Sequence, residues 1–152
     1  MVHRVTNTTS PEATDAAKAA FAEIASRFPH LRIIEEADVP IRISLDLPVQ
    51  PGLKHRVWLG HQNEDELNFG VGPFWCDWFP CTSEEKRRDY VEAVTGFLSG
   101  RYRILEHWRA DACFKAQLQR PSDGGWETIA TWSKARLPSF RKVTYIEVIN
   151  AG

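Results

Sequence analysis

The sequence predicts an α+β fold in one domain, residues 1–152, with a single antiparallel β-sheet of about seven to nine strands and two amphipathic helices on one face. Three observations predict it. Two segments carry their apolar residues at helical spacing, so each helix has one stripe to bury. Most other segments alternate apolar and polar residues, as a strand with one dry and one wet face does. The continuous apolar runs of parallel strands buried on both sides are missing. With 152 residues, 43% of them hydrophobic and 26% charged, the chain is long enough to bury a core without metal or disulfide staples.

Residues Val2 to Thr6 read as a short strand. Ser10-Pro11-Glu12 then starts a helix. Serine caps the free N–H groups, proline suits the first helical position and glutamate suits the positive end of the dipole. Ala17, Ala20, Phe21, Ile24 and Phe28 form the stripe, and Pro29 stops it. Ile41, Ile43, Leu45 and Leu47 alternate with Arg42, Ser44 and Asp46. Pro48 and Pro51-Gly52 turn the chain into a strand from His55 to His61, with Arg56 and Trp58 facing away from Val57, Leu59 and His61. Leu67, Phe69 and Val71 mark the next strand.

Thr82 and Glu85 fit a capping box ahead of a second helix. Its stripe is Tyr90, Val91, Val94, Phe97 and Leu98, and Gly100 stands where a left-handed cap belongs. Tyr102 to Trp108, Phe114 to Leu118, Trp126 to Trp132 and Val143 to Ile149 read as strands, with a turn over 121–125 and a loop over 133–142. The halves can be superposed as a tandem duplication of a helix-plus-strands unit. Arg32-Ile33-Ile34-Glu35 falls on Arg103-Ile104-Leu105-Glu106, and Leu45, Pro48 and Gly52 fall on Leu118, Pro121 and Gly125. One sheet face would then carry Arg42, Ser44, Asp46, Lys115, Gln117 and Gln119 as an open polar surface.

Charge excludes little beyond a globally basic nucleic-acid binder, since 19 basic residues face 20 acidic ones. Three cysteines and a first ten residues without an apolar stretch point to reduced thiols and a cytoplasmic protein. No apolar run is long enough to span a bilayer.

The densest unusual segment is 69–81, with Phe69, Phe74, Trp75, Trp78 and Phe79 interrupted by glycine and proline. Such a cluster either covers one end of the core or lines a pocket or partner-binding surface. The expectation is a small non-enzymatic binding protein. It would use the open sheet face together with Trp58, Phe74, Trp75, Asp77 and Trp78, and its partner would be another protein or a second copy. No catalytic residue, metal ligand or cofactor is assigned, because G-x-S-x-G, P-loop, G-x-G-x-x-G and H-E-x-x-H patterns are all missing. The alternative is a small enzyme or metal-binding protein whose pocket is lined by 69–81. Asp77, enclosed among rings, would serve it as an acid, with His61 or His107 as base or ligand. A third reading is weak nucleic-acid contact through Lys134, Arg136, Phe140, Arg141 and Lys142, although the balanced charge does not favour it.

The order strand, helix, three strands, repeated, resembles the topology of the vicinal-oxygen-chelate metalloenzymes. The resemblance implies metal ligands from His and Glu on strands of both halves, for which this chain offers His3, Glu66 and Glu127. These do not form a recognisable ligand set, and element order alone does not carry function.

Overall fold

The computed structural model describes residues 11–135 and 140–151. Its elements run α1 (Pro11–Arg27), β1 (Ile34–Glu35), β2 (Ile43–Leu47), β3 (Val57–Gln62), β4 (Glu66–Val71), β5 (Phe74–Trp78), α2 (Glu84–Leu98), β6 (Arg103–Arg109), β7 (Ala112–Ser122), β8 (Gly125–Ser133) and β9 (Val143–Ile149). The fold is α+β with antiparallel pairing throughout. The expected strand Val2–Thr6, the Ser10 cap, His3 and Arg136 lie outside the described residues.

The single sheet is a correction. Nine strands form two sheets, a five-stranded meander β1-β2-β3-β4-β5 and a four-stranded sheet β8-β7-β6-β9. Edge strands β5 and β8 lie against each other, but no hydrogen-bonded ladder joins them. Helix placement differs as well. α1 packs on α2, and α2 packs on β4 and β5. One core cluster takes residues from both helices and both sheets, among them Ile24, Leu59, Phe69, Phe97, Ile104, Leu118 and Val148.

The reason lies in α2. Its stripe is buried as expected, but so are Ala93, Thr95 and Gly96, so its C-terminal half is enclosed on nearly every side. A helix enclosed all round needs cover from more than one layer. At Gly96 a Cβ would stand 2.3 Å from the Tyr102 ring, so the missing side chain lets the approach to β6 press against the helix. The end of α2 is a Schellman motif. Arg101 N–H donates to the Gly96 carbonyl and Gly100 N–H to the Phe97 carbonyl, with Gly100 at φ +79°. Its start differs by one residue from the expected capping box: Ser83, not Thr82, is the cap and accepts from Lys86 N–H. Asn150 ties the C-terminal segment down by donating to Leu98 O (2.7 Å) and Gly52 O (3.0 Å) and accepting from Lys54 N–H.

The two polar triplets therefore belong to different sheets. Neither is simply wet, because Ser44 and Gln119 are buried. The two halves share an up-and-down order over β1-β2-β3 and β6-β7-β8, but then diverge. β4 continues beside β3, whereas β9 returns beside β6. The superposed residues also differ in burial, Glu35 being exposed and Glu106 buried. Pro121 lies within β7 opposite Trp126, so the expected turn over 121–125 shrinks to Asp123-Gly124.

Replacing Gly96 with alanine should destabilise the protein by about 1–3 kcal/mol through overpacking against Tyr102. A urea titration checks this, and an unchanged midpoint would show that the helix–ring contact is looser than described.

Candidate functional site

Segment 69–81 is mostly a β-hairpin. β4 and β5 are joined by Gly72-Pro73, with Val71 opposite Phe74. Gly72 has φ +55°, and proline fixes negative φ at the next residue, so the turn is type II′, which favours glycine first. Alternation then divides the aromatic residues. Phe69 and Phe74 are fully buried, edge to face at 5.7 Å, while Trp75 is 48% exposed on the opposite face. The Trp78 ring packs on Tyr90 at 5.6 Å on the buried side. Asp77 is exposed, not enclosed among rings.

A groove of about 670 Å³ crosses the outer face of the first sheet, lined by Arg56, Trp58, Gln62, Gly70, Gly72, Phe74 and Trp75. Strand register builds it. Trp58 of β3 is opposite Gly70 of β4, and Gly70 is opposite Trp75 of β5. Two indoles thus share one rung, about two strand spacings or ~10 Å apart, with a glycine between them. A Cβ at position 70 would sit 3.5 Å from both the Trp58 ring edge and the Trp75 Cβ, so a methyl group would just fit there in van der Waals contact with both. The Phe74 carbonyl oxygen is 3.5 Å from that same point.

The two indoles are held differently. Trp58 lies over Gly60, where a Cβ would meet its ring at 2.6 Å. Its Nε1–H donates to Ser44 Oγ (2.8 Å), and Ser44 Oγ donates to Glu36 Oε1 (3.1 Å). Beside it Arg56 and Asp46 form an ion pair at 2.6 Å that is exposed on the arginine side. Trp75, by contrast, is half exposed.

The next rung holds Gly60, Asn68 and Asp77. Asn68 shares the face of Gly70 and is fully buried, yet neither its Nδ2 nor its Oδ1 has a hydrogen-bond partner among the described residues. An unpaired buried carboxamide is costly and calls for an explanation. Its backbone carbonyl is satisfied by the Tyr90 hydroxyl at 2.8 Å.

The sequence-selected residues thus separate into two places. Trp58, Phe74 and Trp75 meet at the groove. Asp77 and Trp78 line a second cleft of about 550 Å³ between β5 and β8, with Cys76, Phe79, Lys86, Ile129, Ala130 and Thr131. Burial pushes the Cys76 thiol up to about 11, with nearby Asp77 adding to the shift. Sequence reasoning missed Asn68, Gly60 and Gly70. The signal available was a glycine at alternate positions of two adjacent strands, which marks close approach.

The candidates for catalysis are scattered. His61 is fully buried, its Nδ1 2.9 Å from Glu66 O and its Nε2 unpartnered. The carbonyl can only accept, so Nδ1 is the donor of this pair. His107 is on the second sheet, with Nε2 3.0 Å from Gln117 Oε1 and its ring 4.9 Å from Tyr145. Glu66 accepts from Asn63, and Glu127 pairs with Arg120 on the other sheet. Among the described residues no three His, Cys, Asp or Glu side chains converge as a metal site. Lys134, Phe140, Arg141 and Lys142 are exposed. Comparison with known proteins gives no match: no family model, curated protein or solved structure matches the chain.

Replacing Gly60 with alanine should lift Trp58 from the sheet. The near-ultraviolet circular dichroism of the indole should fall, and stability should drop by about 1–3 kcal/mol. A retained signal would mean that the ring does not lie against Gly60 as closely as described. At pH 8, Cys76 should be alkylated about a hundredfold more slowly than a free thiol, because little of it is thiolate. Its folded value lies above the unfolded one, so the buried neutral thiol contributes stability at neutral pH that is lost as pH rises through about 11. Mass-detected labelling across pH reads both effects.

Proposed function

We propose that this protein is a non-enzymatic binding module that holds an extended segment of a protein partner in the groove on the outer face of its first sheet. The rung Trp58–Gly70–Trp75, with orphaned Asn68 beside it, is the observation that carries the reading. The groove flanked by the two indoles, about 670 Å³, is large enough for one large apolar side chain, the kind of pocket that anchors protein interfaces. A carboxamide with one acceptor and two donors complements the N–H and C=O of a peptide bond. Asn68 is fully buried, so the peptide would reach it only if the wall of the groove moved. The locked Trp58 costs no ordering on binding, and pre-organised contacts of that kind favour affinity.

Panning a random-peptide phage library on the immobilised protein tests this. Enriched peptides should share one large apolar residue. They should lose about thirtyfold or more in affinity, a hot-spot loss of about 2 kcal/mol, against Trp75→Ala and against Gly70→Leu, which plugs the gap. Failure of any peptide to enrich, or equal binding to the plugged variant, would overturn the proposal.

A further inference from the structure

Sheet edges present rows of unpaired N–H and C=O groups, and folded proteins usually guard them. Here three of the four edges are guarded. β1 is only two residues long, and β5 and β8 lie against each other. Among the described residues β9 is the exception. It keeps unbroken register with β6 from Arg103↔Ile149 to Arg109↔Val143, with no bulge. It contains neither proline nor lysine. Its one charge, Glu147, is already held by Arg103 at 2.7 Å. Tyr145 and Ile146, on opposite faces, are 60% and 48% exposed. Among the described residues no strand pairs with its outer edge.

We infer that β9 pairs antiparallel with β9 of a second copy, joining two four-stranded sheets into one continuous sheet across a two-fold axis. The strand is self-complementary about Ile146. Ile146 then meets its own copy, Thr144 meets Val148 and Val143 meets Ile149, all β-branched pairs of the kind that stabilise strand pairing. Tyr145 meets Glu147, where the phenol can donate to the carboxylate. No like charges face each other, and parity keeps each pair on one face of the sheet. This surface is separate from the groove on the first sheet, so the inference does not rest on the binding proposal.

Light scattering or native mass spectrometry across a hundredfold range of protein concentration is the test, since mass action governs dimers. The expected species is a dimer of 17.4 kDa chains. Ile146→Lys, at a half-exposed position, should give a folded monomer by placing two ammonium groups face to face. Ile146→Cys should form an intermolecular disulfide on mild oxidation, while Ile149→Cys should not, which fixes the register even if the lysine variant folds poorly. Gly70→Leu should leave the mass unchanged. A monomer at every concentration, a dimer that survives Ile146→Lys, or a monomer whose β9 amides lose protection from hydrogen exchange when residues 1–9 are removed would each overturn the inference.

Discussion

The enclosure of helix α2 is the constraint on which the rest of the structure depends. From Ala93 to Leu98 every residue is buried, so no single sheet face could cover it. α1 and the inner face of the first sheet cover part, and Tyr102, carrying the chain into the second sheet, presses into the space left by Gly96. Thr95 can enter this environment because its hydroxyl donates back to Val91 O at 2.7 Å, which satisfies the polar group locally. Asn150 then binds the end of the last strand to the end of the same helix. Two sheets and two helices therefore share one core without a continuous ladder between the sheets.

The same economy of side chains shapes the outer face of the first sheet. Gly60 gives Trp58 a place to lie, and Gly70 leaves a hollow beside it. Hydrogen bonds through Ser44 to Glu36 hold one indole in place, and the other remains half exposed. Beneath this arrangement Asn68 keeps its carboxamide dry and unpaired. Folding alone would be better served by an apolar residue at that position, because burying an unsatisfied amide costs about 1–3 kcal/mol.

Much of the local structure was legible in the sequence. Both helices, the four strands of the second sheet and the alternation of β2 to β4 follow from periodicity, because that signal depends only on neighbours along the chain. The hairpin within 69–81 was obscured by its aromatic density, which made Gly72-Pro73 look like an interruption and not a turn. At the site, Trp58, Phe74 and Trp75 could be picked out as unusual. Their meeting across three strands could not, since register is a tertiary fact. His61 shows the converse: it alternates with core residues, and the structure buries it fully.

The sequence by itself determined both helices, most of the strands and the antiparallel α+β class. Those choices are made by side chains within a few residues of one another. Only the tertiary structure decided that nine strands split into two sheets, that Asp77 and Trp78 part company with Trp75, and that a buried asparagine lies beside two indoles. Each of these depends on how a helix buried on nearly all sides distributes its contacts, and on how strands register against one another, which no local pattern encodes.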